Sequence, residues 1–336
     1  MKIKILKAFN GDAILITHTD VDGEIRNILI DGGVSQTYLQ HKNSKGKRQY
    51  GELKEVIESI RNANQNIDLL ILTHIDDDHI DGILGWFSDD KEASGLINEV
   101  WFNSGRTIAA WLNKEENKEL NIEVVVDNAL TTSVTQGIDF AKYIFDKGIW
   151  DEAVITQGKK FEKFGLVFKI LSPNNDDLNN LLKLWKKKDP DLKTSAKNHD
   201  YNTSLIEHIK IDLFEEDNSP GNGSSIAFIL SDKEQNYLFL GDAHPTTVVE
   251  GLSLFDINAN NPIECKLVKI AHHGSSGNTS IELLACIRCE DFIISTDGRI
   301  HQHPHKQMLA RLINQNPSCK IHFNYIERAE MIFSDR

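Results

Sequence analysis

The sequence predicts an α/β protein built from two similar halves. Short apolar runs end in Gly and Asp turn signals, and segments of helical period lie between them. The strand-loop-helix rhythm of the first third returns in the last third with no clear linker, which favours one α/β domain over residues 1–336. An apolar fraction of 40% with 26% charged residues suits a soluble protein with a sizeable core. No window approaches about eighteen uninterrupted apolar residues, so neither a transmembrane helix nor a membrane partner is expected.

In order, "KIKILKAF", "AILITHT" and "RNILIDGG" read as strands, the first in preference to a signal peptide because no small-residue cleavage site follows. Leu53, Val56, Ile57 and Ile60 share one helical face and predict a helix at about 52–62. Next come the strand "IDLLILTH", an acidic loop, a helix beginning near "HIDGILGWF", and the strand "INEVWFN". Residues 105–164 read as mostly helical, and "LVFKILSP" restarts the strands. Residues 174–203 read as an inserted helix and loop. The last third alternates "SIAFILS", "NYLFLGDA", "KLVKIAHHG", "DFIISTDG" and "KIHFNY" with helices, one of them at about 305–315.

The polar residues gather where strands end. "LLILT" is followed by His74, Asp76, Asp78 and His79, "NYLFLG" by Asp242, "LVKIA" by His272 and His273, and "FIISTDG" by "RIHQHPHK". Of 13 histidines, seven (His74, His79, His272, His273, His301, His303, His305) lie in three of these loops. Ligands of open α/β sheets collect at the carboxyl ends of strands, so residues far apart in sequence can converge there. One acidic loop is ordinary; four strand ends in His or Asp point to metal. Imidazole and carboxylate suit Zn²⁺, Mn²⁺ or Fe, and the absence of cysteine from these loops argues against a closed structural zinc site. Seven candidates exceed the needs of one ion, so two divalent ions are expected, with an aspartate such as Asp242 between them.

"THIDDDHIDG" resembles the HxHxDH signature of the metallo-β-lactamase fold, with aspartate in place of the second histidine. "FLGDA" resembles the bridging-aspartate motif of that fold, and "KIAHHGSS" and "QHPHKQML" resemble the HHGS and HP motifs of its ComEC-like branch. That branch holds the hydrolase domain of the DNA-uptake competence protein, soluble stand-alone relatives and choline-phosphate esterases. The likeness runs over about residues 5–326, with insertions at about 105–164 and 174–222. It implies a four-layer αββα sandwich with His74 and Asp76 on one ion, and Asp78 and His79 on the other. It also implies a bridging Asp242, His272 on the first ion and His303 on the second. His273 either replaces His272 as ligand or contacts substrate. Asp76 makes the first site richer in oxygen, leaving Mn²⁺ as suitable as Zn²⁺ and leading away from β-lactam hydrolysis.

The function expected is a dinuclear hydrolase that cleaves a phosphodiester through a metal-bridging hydroxide, with DNA or RNA as substrate. Asp78 would orient the nucleophile and His273 would protonate the leaving oxygen. The alternatives are a hydrolase of small phosphoesters and a non-catalytic, metal-holding regulatory module. A net charge of −13 argues against a broad basic surface for duplex nucleic acid. Stand-alone relatives in anti-phage gene clusters imply a defence role with a protein partner in a multi-component system. Four cysteines, with Cys286 and Cys289 as a lone CxxC, read as core residues in a reducing cytoplasm.

Several other residues have bland readings beside the functional ones. Gly32 and Gly33 serve backbone conformation, Asp31 orients a ligand, and Asp12 reads as a turn residue, with support of a ligand as the alternative. Asp81 either caps a helix or accepts from a ligand histidine, and Asp77 faces solvent. Ser275 shapes its loop. Lys186 to Lys188 beside Trp185 read as a solvated helix face, and "HKNSKGKRQYG" at 41–51 as a loop able to border the site.

Overall fold

The computed structural model describes residues 1–40, 48–114, 132–185 and 199–334. The run Lys186 to Lys188 and most of the cationic 41–51 segment lie outside the described residues. The chain divides into two compact units, Met1–Ile155 with Asn175–Thr194, and Thr156–Asn174 with Ser195–Arg336.

The first unit holds a five-stranded sheet. Strands β1 (Lys2–Ile5), β2 (Ile14–Thr19) and β3 (Ile25–Ile30) form an antiparallel meander. A small ribbon, β4 (Leu39–Gln40) with β5 (Gln49–Tyr50), follows helix α1 (Ser35–Tyr38). Strands β6 (Leu69–Ile71) and β7 (Val100–Trp101) then add in parallel, giving the order β1-β2-β3-β6-β7. Parallel neighbours need crossovers, and α2 (Glu52–Asn62) and α3 (Asp77–Asp89) supply them. The predicted stripe Leu53, Val56, Ile57 and Ile60 is buried together with Leu29 and Leu70 of the sheet and Ile80, Ile83 and Trp86 of α3. The alternate residues Ile28, Ile30, Leu69 and Ile71 are buried too, so this sheet is covered on both faces. Helices α4 (Gly105–Trp111), α5 (Thr132–Asp146) and α6 (Asn175–Trp185) complete the unit. Of these, α6 places Leu178, Leu181 and Trp185 in the same cluster.

The second unit repeats the logic with seven strands. Strands β8 (Lys160–Lys163), β9 (Leu166–Ser172), β10 (Ala227–Asp232) and β11 (Gln235–Phe239) are antiparallel. A side ribbon pairs β12 (Ile263–Glu264) with β14 (Ile287–Arg288). Strands β13 (Leu267–Lys269), β15 (Asp291–Ile294) and β16 (Lys320–Phe323) join β11 in parallel, in the order β16-β15-β13-β11-β10-β9-β8. Helices α7 (Leu205–Lys210), α8 (Pro220–Gly223), α9 (Pro245–Ser253), α10 (Ile281–Ala285), α11 (Lys306–Gln315) and α12 (Ile326–Ile332) belong to this unit. Its core joins Ile229, Leu238, Val268 and Phe292 of the sheet to Val248, Leu283, Met308 and Leu309 of the helices. Cys286 and Cys289 pack in it as free thiols, which agrees with the core reading.

One expectation needs correction. Residues 160–163 form an edge strand, although 105–164 reads as mostly helical. "KFEK" exposes Lys160 and Glu162 on one face, with Phe161 and Lys163 half-buried on the other, and carries little apolar signal, so its place comes from pairing with β9. Among the described residues, no helix is long and apolar enough to cross a membrane.

Candidate metal centre

In the first unit the site is built on the start of α3, directly behind β6. A close approach of glycines sets the geometry. A Cβ on Gly82 would lie 1.9 Å from the Gly32 carbonyl oxygen, so only glycine lets α3 dock on the Asp31-Gly32-Gly33 turn. Gly82 N donates to Gly33 O at 2.8 Å and Gly32 N to His79 O at 2.7 Å. That contact brings Asp31 to His79. Its buried carboxylate accepts from His79 Nδ1 (2.8 Å), Thr73 N (2.7 Å) and Thr73 Oγ1 (2.7 Å).

A carboxylate only accepts, so His79 carries its proton on Nδ1 and its lone pair on Nε2. The Thr73 hydroxyl gives its proton to Asp31, so its oxygen accepts from His74 Nδ1 at 3.0 Å, and His74 takes the same tautomer. Asp31 therefore sets both histidines, one directly and one through a hydroxyl. His74 Nε2 lies 3.9 Å from Asp76 Oδ2, and His79 Nε2 lies 3.9 Å from Asp78 Oδ1. Donors sharing a tetrahedral ion at bond lengths near 2.1 Å are about 3.4 Å apart, so both pairs have nearly that spacing. Burial pushes the Asp31 carboxyl up, against the pull of His79 and Thr73.

Two further residues lie near Asp78, of which Asn10 carries no signal in the sequence. Asn10 Nδ2 donates to Asp78 Oδ2 at 3.3 Å. Asp12, read as a turn residue, is buried, and it and His79 each offer a ligand atom within 4.8 Å of the other. Its backbone N–H donates to Asp78 O, and a Cβ on Gly11 would lie 1.9 Å from that same oxygen. The signal available was "GDAILI", an acid after a glycine that must pack against backbone. Asp81 neither caps α3 nor meets a ligand histidine: it accepts from Gln136 Nε2 on α5. Burial and the charge of Asp77 push its carboxyl up to about 6. Asp77 is exposed, as expected. Of the 41–51 segment, Arg48 is tied to Asp89 at 3.0 Å.

In the second unit three loops converge. Asp242 follows β11, is buried, and donates its backbone N–H to Ser225 Oγ at 3.1 Å. His272 Nε2 lies 3.7 Å and His273 Nε2 3.8 Å from its Oδ2, so both histidines face one carboxylate. They reach it through left-handed backbone, φ 45° and 52°, a conformation that costs a non-glycine residue about 1–3 kcal/mol. His273 Nδ1 donates to Ser295 O at 2.9 Å. His272 Nδ1 lies 2.9 Å from Asn278 Oδ1 and 3.4 Å from Asp217 Oδ2. The Asn278 amide group donates to Asp217 Oδ2 and to Asp242 O, both at 3.0 Å, so its oxygen faces the histidine. Both rings thus also carry the Nδ1 proton.

His303 completes the group, its ring centroid 4.9 Å from that of His272. Burial, then the neighbouring histidines, hold its pKa well below the ordinary value, which keeps the imidazole neutral as a ligand must be. Burial pulls His272 down, but Asp242 and Asp217 outweigh it and raise its pKa. Asp217 is itself held low: burial works upward, and His272, Asn222 and Ser219 N–H overcome it. Asp217, Asn222 and Asn278 were not read from the sequence. Ser275 Oγ accepts from Gly277 N, a loop-shaping bond.

The donor set fits divalent metal. Each unit presents buried imidazole beside carboxylate, with four histidines held by Nδ1 so that Nε2 is the atom left to coordinate a metal. Such outer partners characterise metal-ligating histidine.

No family model matches this sequence, and no curated protein matches it. Two solved structures align over 96% of the chain. One is a mutant of the CmlA beta-hydroxylase, at 10% identity, TM-score 0.44 and 52% of that chain. The other is described as a metal-dependent hydrolase from Parabacteroides distasonis, at 9% identity, TM-score 0.38 and 97% of that chain. The protein spans about half the length of the first. Likeness at this level identifies neither a family nor a reaction.

Proposed function

We propose that the protein is a dinuclear metal-dependent hydrolase of the metallo-β-lactamase fold, in its ComEC-like branch, and that it cleaves phosphodiesters in DNA or RNA. The observation that carries this reading is the common Nδ1 anchoring of His74, His79, His272 and His273 beside Asp76, Asp78 and Asp242. Burial of β3 and β6 on both faces is what a covered sheet of that fold requires.

In this reading His74, Asp76, Asp78, His79, Asp242, His272 and His303, joined by His273, would hold two ions, Zn²⁺ or Mn²⁺. Bound there, such ions acidify water and polarise a phosphoryl oxygen. Asp78 orients the attacking water, its plane fixed by Asn10 at Oδ2. Asp31 holds the His74 and His79 rings. His273, the other catalytic candidate, turns Nε2 toward Asp242 and is almost fully buried, which favours a ligand over a proton donor to the leaving oxygen.

One observation favours the smaller-substrate alternative. The acidic run Glu215, Glu216 and Asp217 lies on the segment that contacts His272, and negative charge there repels a polynucleotide more than a small diester. Purified protein with Mn²⁺ or Zn²⁺ should cleave DNA or RNA, and Asp78→Ala should abolish it. Cleavage of small diesters only moves the substrate to the alternative. Bound metal without turnover on any of these leaves a regulatory module. A defence role with a protein partner in the cytoplasm rests on the resemblance alone, and loss of phage protection on deletion is its test.

A further inference from the structure

We propose that Tyr201 and Arg328 are positioning residues that set His303 for metal binding. This makes Asp200 and Tyr201, within the stretch read as an insertion at about 174–222, a working part of the site. The proposal rests on His303 being a ligand, as in the function proposed above.

Three consecutive carbonyls around His303 are gripped from outside its loop. Tyr201 Oη lies 2.7 Å from Gln302 O and 3.1 Å from Pro304 O, so its single proton is shared between the residues flanking the ligand. Arg328 Nε donates to His303 O itself at 2.7 Å. The guanidinium carbon of Arg328 sits 5.1 Å from the centroid of the Tyr201 ring, so the two donors brace each other. A Cβ on Gly298 would fall 2.1 Å from Arg328 Nε, so only glycine there leaves room for that side chain. Both residues are buried, at 3% and 6% exposure.

The rest of the loop is held from the same segment. Asp200 accepts from the backbone N–H groups of Lys306 and Gln307, both at 2.8 Å, capping α11 from a distance in sequence. Lys306 Nζ donates to Tyr201 O at 2.8 Å.

There is a reason for so much fixation. Gln302 has φ 58°, a left-handed conformation that persists in a non-glycine residue only when its surroundings enforce it. Relaxation of that residue would swing the His303 ring away from His272. Burial pushes the Tyr201 phenol up to about 12, so it stays a donor at any physiological pH.

The test uses the metal-free full chain titrated with Co²⁺, followed by absorption and calorimetry, with the thermal midpoint of each metal-free protein recorded alongside. The variants are Tyr201→Phe, Arg328→Lys and His303→Ala. Wild type should take two ions and His303→Ala should lose one. Tyr201→Phe and Arg328→Lys should bind that same ion about tenfold or more weakly. Wild-type affinity in both, with an ion lost from His303→Ala, overturns the positioning role and leaves the ligand assignment standing. A lower metal-free midpoint without weaker binding makes the pair a structural staple and also overturns it. Wild-type binding by His303→Ala removes the ligand assignment and the proposal together. Should Tyr201→Phe fail to fold, Arg328→Lys decides by the same criteria.

Discussion

The two units solve the same ligand problem by opposite means. In the first, His74, Asp76, Asp78 and His79 lie within six residues at one strand-to-helix junction, and one carboxylate, Asp31, serves both histidines. In the second, Asp242, His272, His273 and His303 come from three loops, and each histidine has its own support: Asn278 with Asp217, Ser295 O, and the carbonyl grip around His303. A local site can depend on one partner, whereas a distributed one needs many. The first should therefore fail at a single point, and the second by degrees.

The largest effect should come from the ligands themselves. Asp242→Ala should lower phosphodiester cleavage by about a thousandfold or more and release metal, read by steady-state kinetics and elemental analysis. Next is Asp31→Ala, which unlocks two histidines and strands the buried Thr73 N–H. Metal affinity should fall by about ten- to a hundredfold. The metal-free protein should also lose about 1–3 kcal/mol in urea, because buried donors go unmet. Asp217→Ala is the matching change in the second unit and should cost less than Asp31→Ala on both readouts, since Asn278 still holds His272. Equal effects would break the comparison.

Gly82→Ala comes next, since its methyl group would collide with the Gly32 carbonyl and push α3 from the Asp31 turn. About 1–3 kcal/mol of stability should go, and metal affinity with it. The smallest effect belongs to Cys286→Ser. Its Sγ contacts only Glu282 O among the bonds described, a hydroxyl can keep that bond, and stability should change by no more than about 1 kcal/mol with metal content unaltered.

This contrast also explains what could be read from the sequence. The first unit's ligands announce themselves because they are adjacent and follow an apolar strand. The stripe Leu53, Val56, Ile57 and Ile60 likewise marks α2 because its period is local. The glycine pair in "DGG" and Asp31 behind it were legible for the same reason. In the second unit the ligands could be listed but their supports could not. Asn222 and Asn278 are common polar residues whose roles arise only when Asn222 approaches His272 and Asn278 meets Asp217, across 50 and 61 positions. Tyr201 carries no signal at all until its hydroxyl is seen between the carbonyls of 302 and 304. Asp12 reads first as a turn residue because a turn acid is more often solvated than buried, and only its burial and the approach of Gly11 to Asp78 show otherwise.

The most direct test of the account is the number of divalent ions bound per chain, measured by elemental analysis after equilibrium dialysis against Zn²⁺ or Mn²⁺. Wild type, His79→Ala and His273→Ala should be compared at matched concentration. The account predicts two ions in wild type and fewer in each variant. Two ions retained in both variants, or none in wild type, would contradict it.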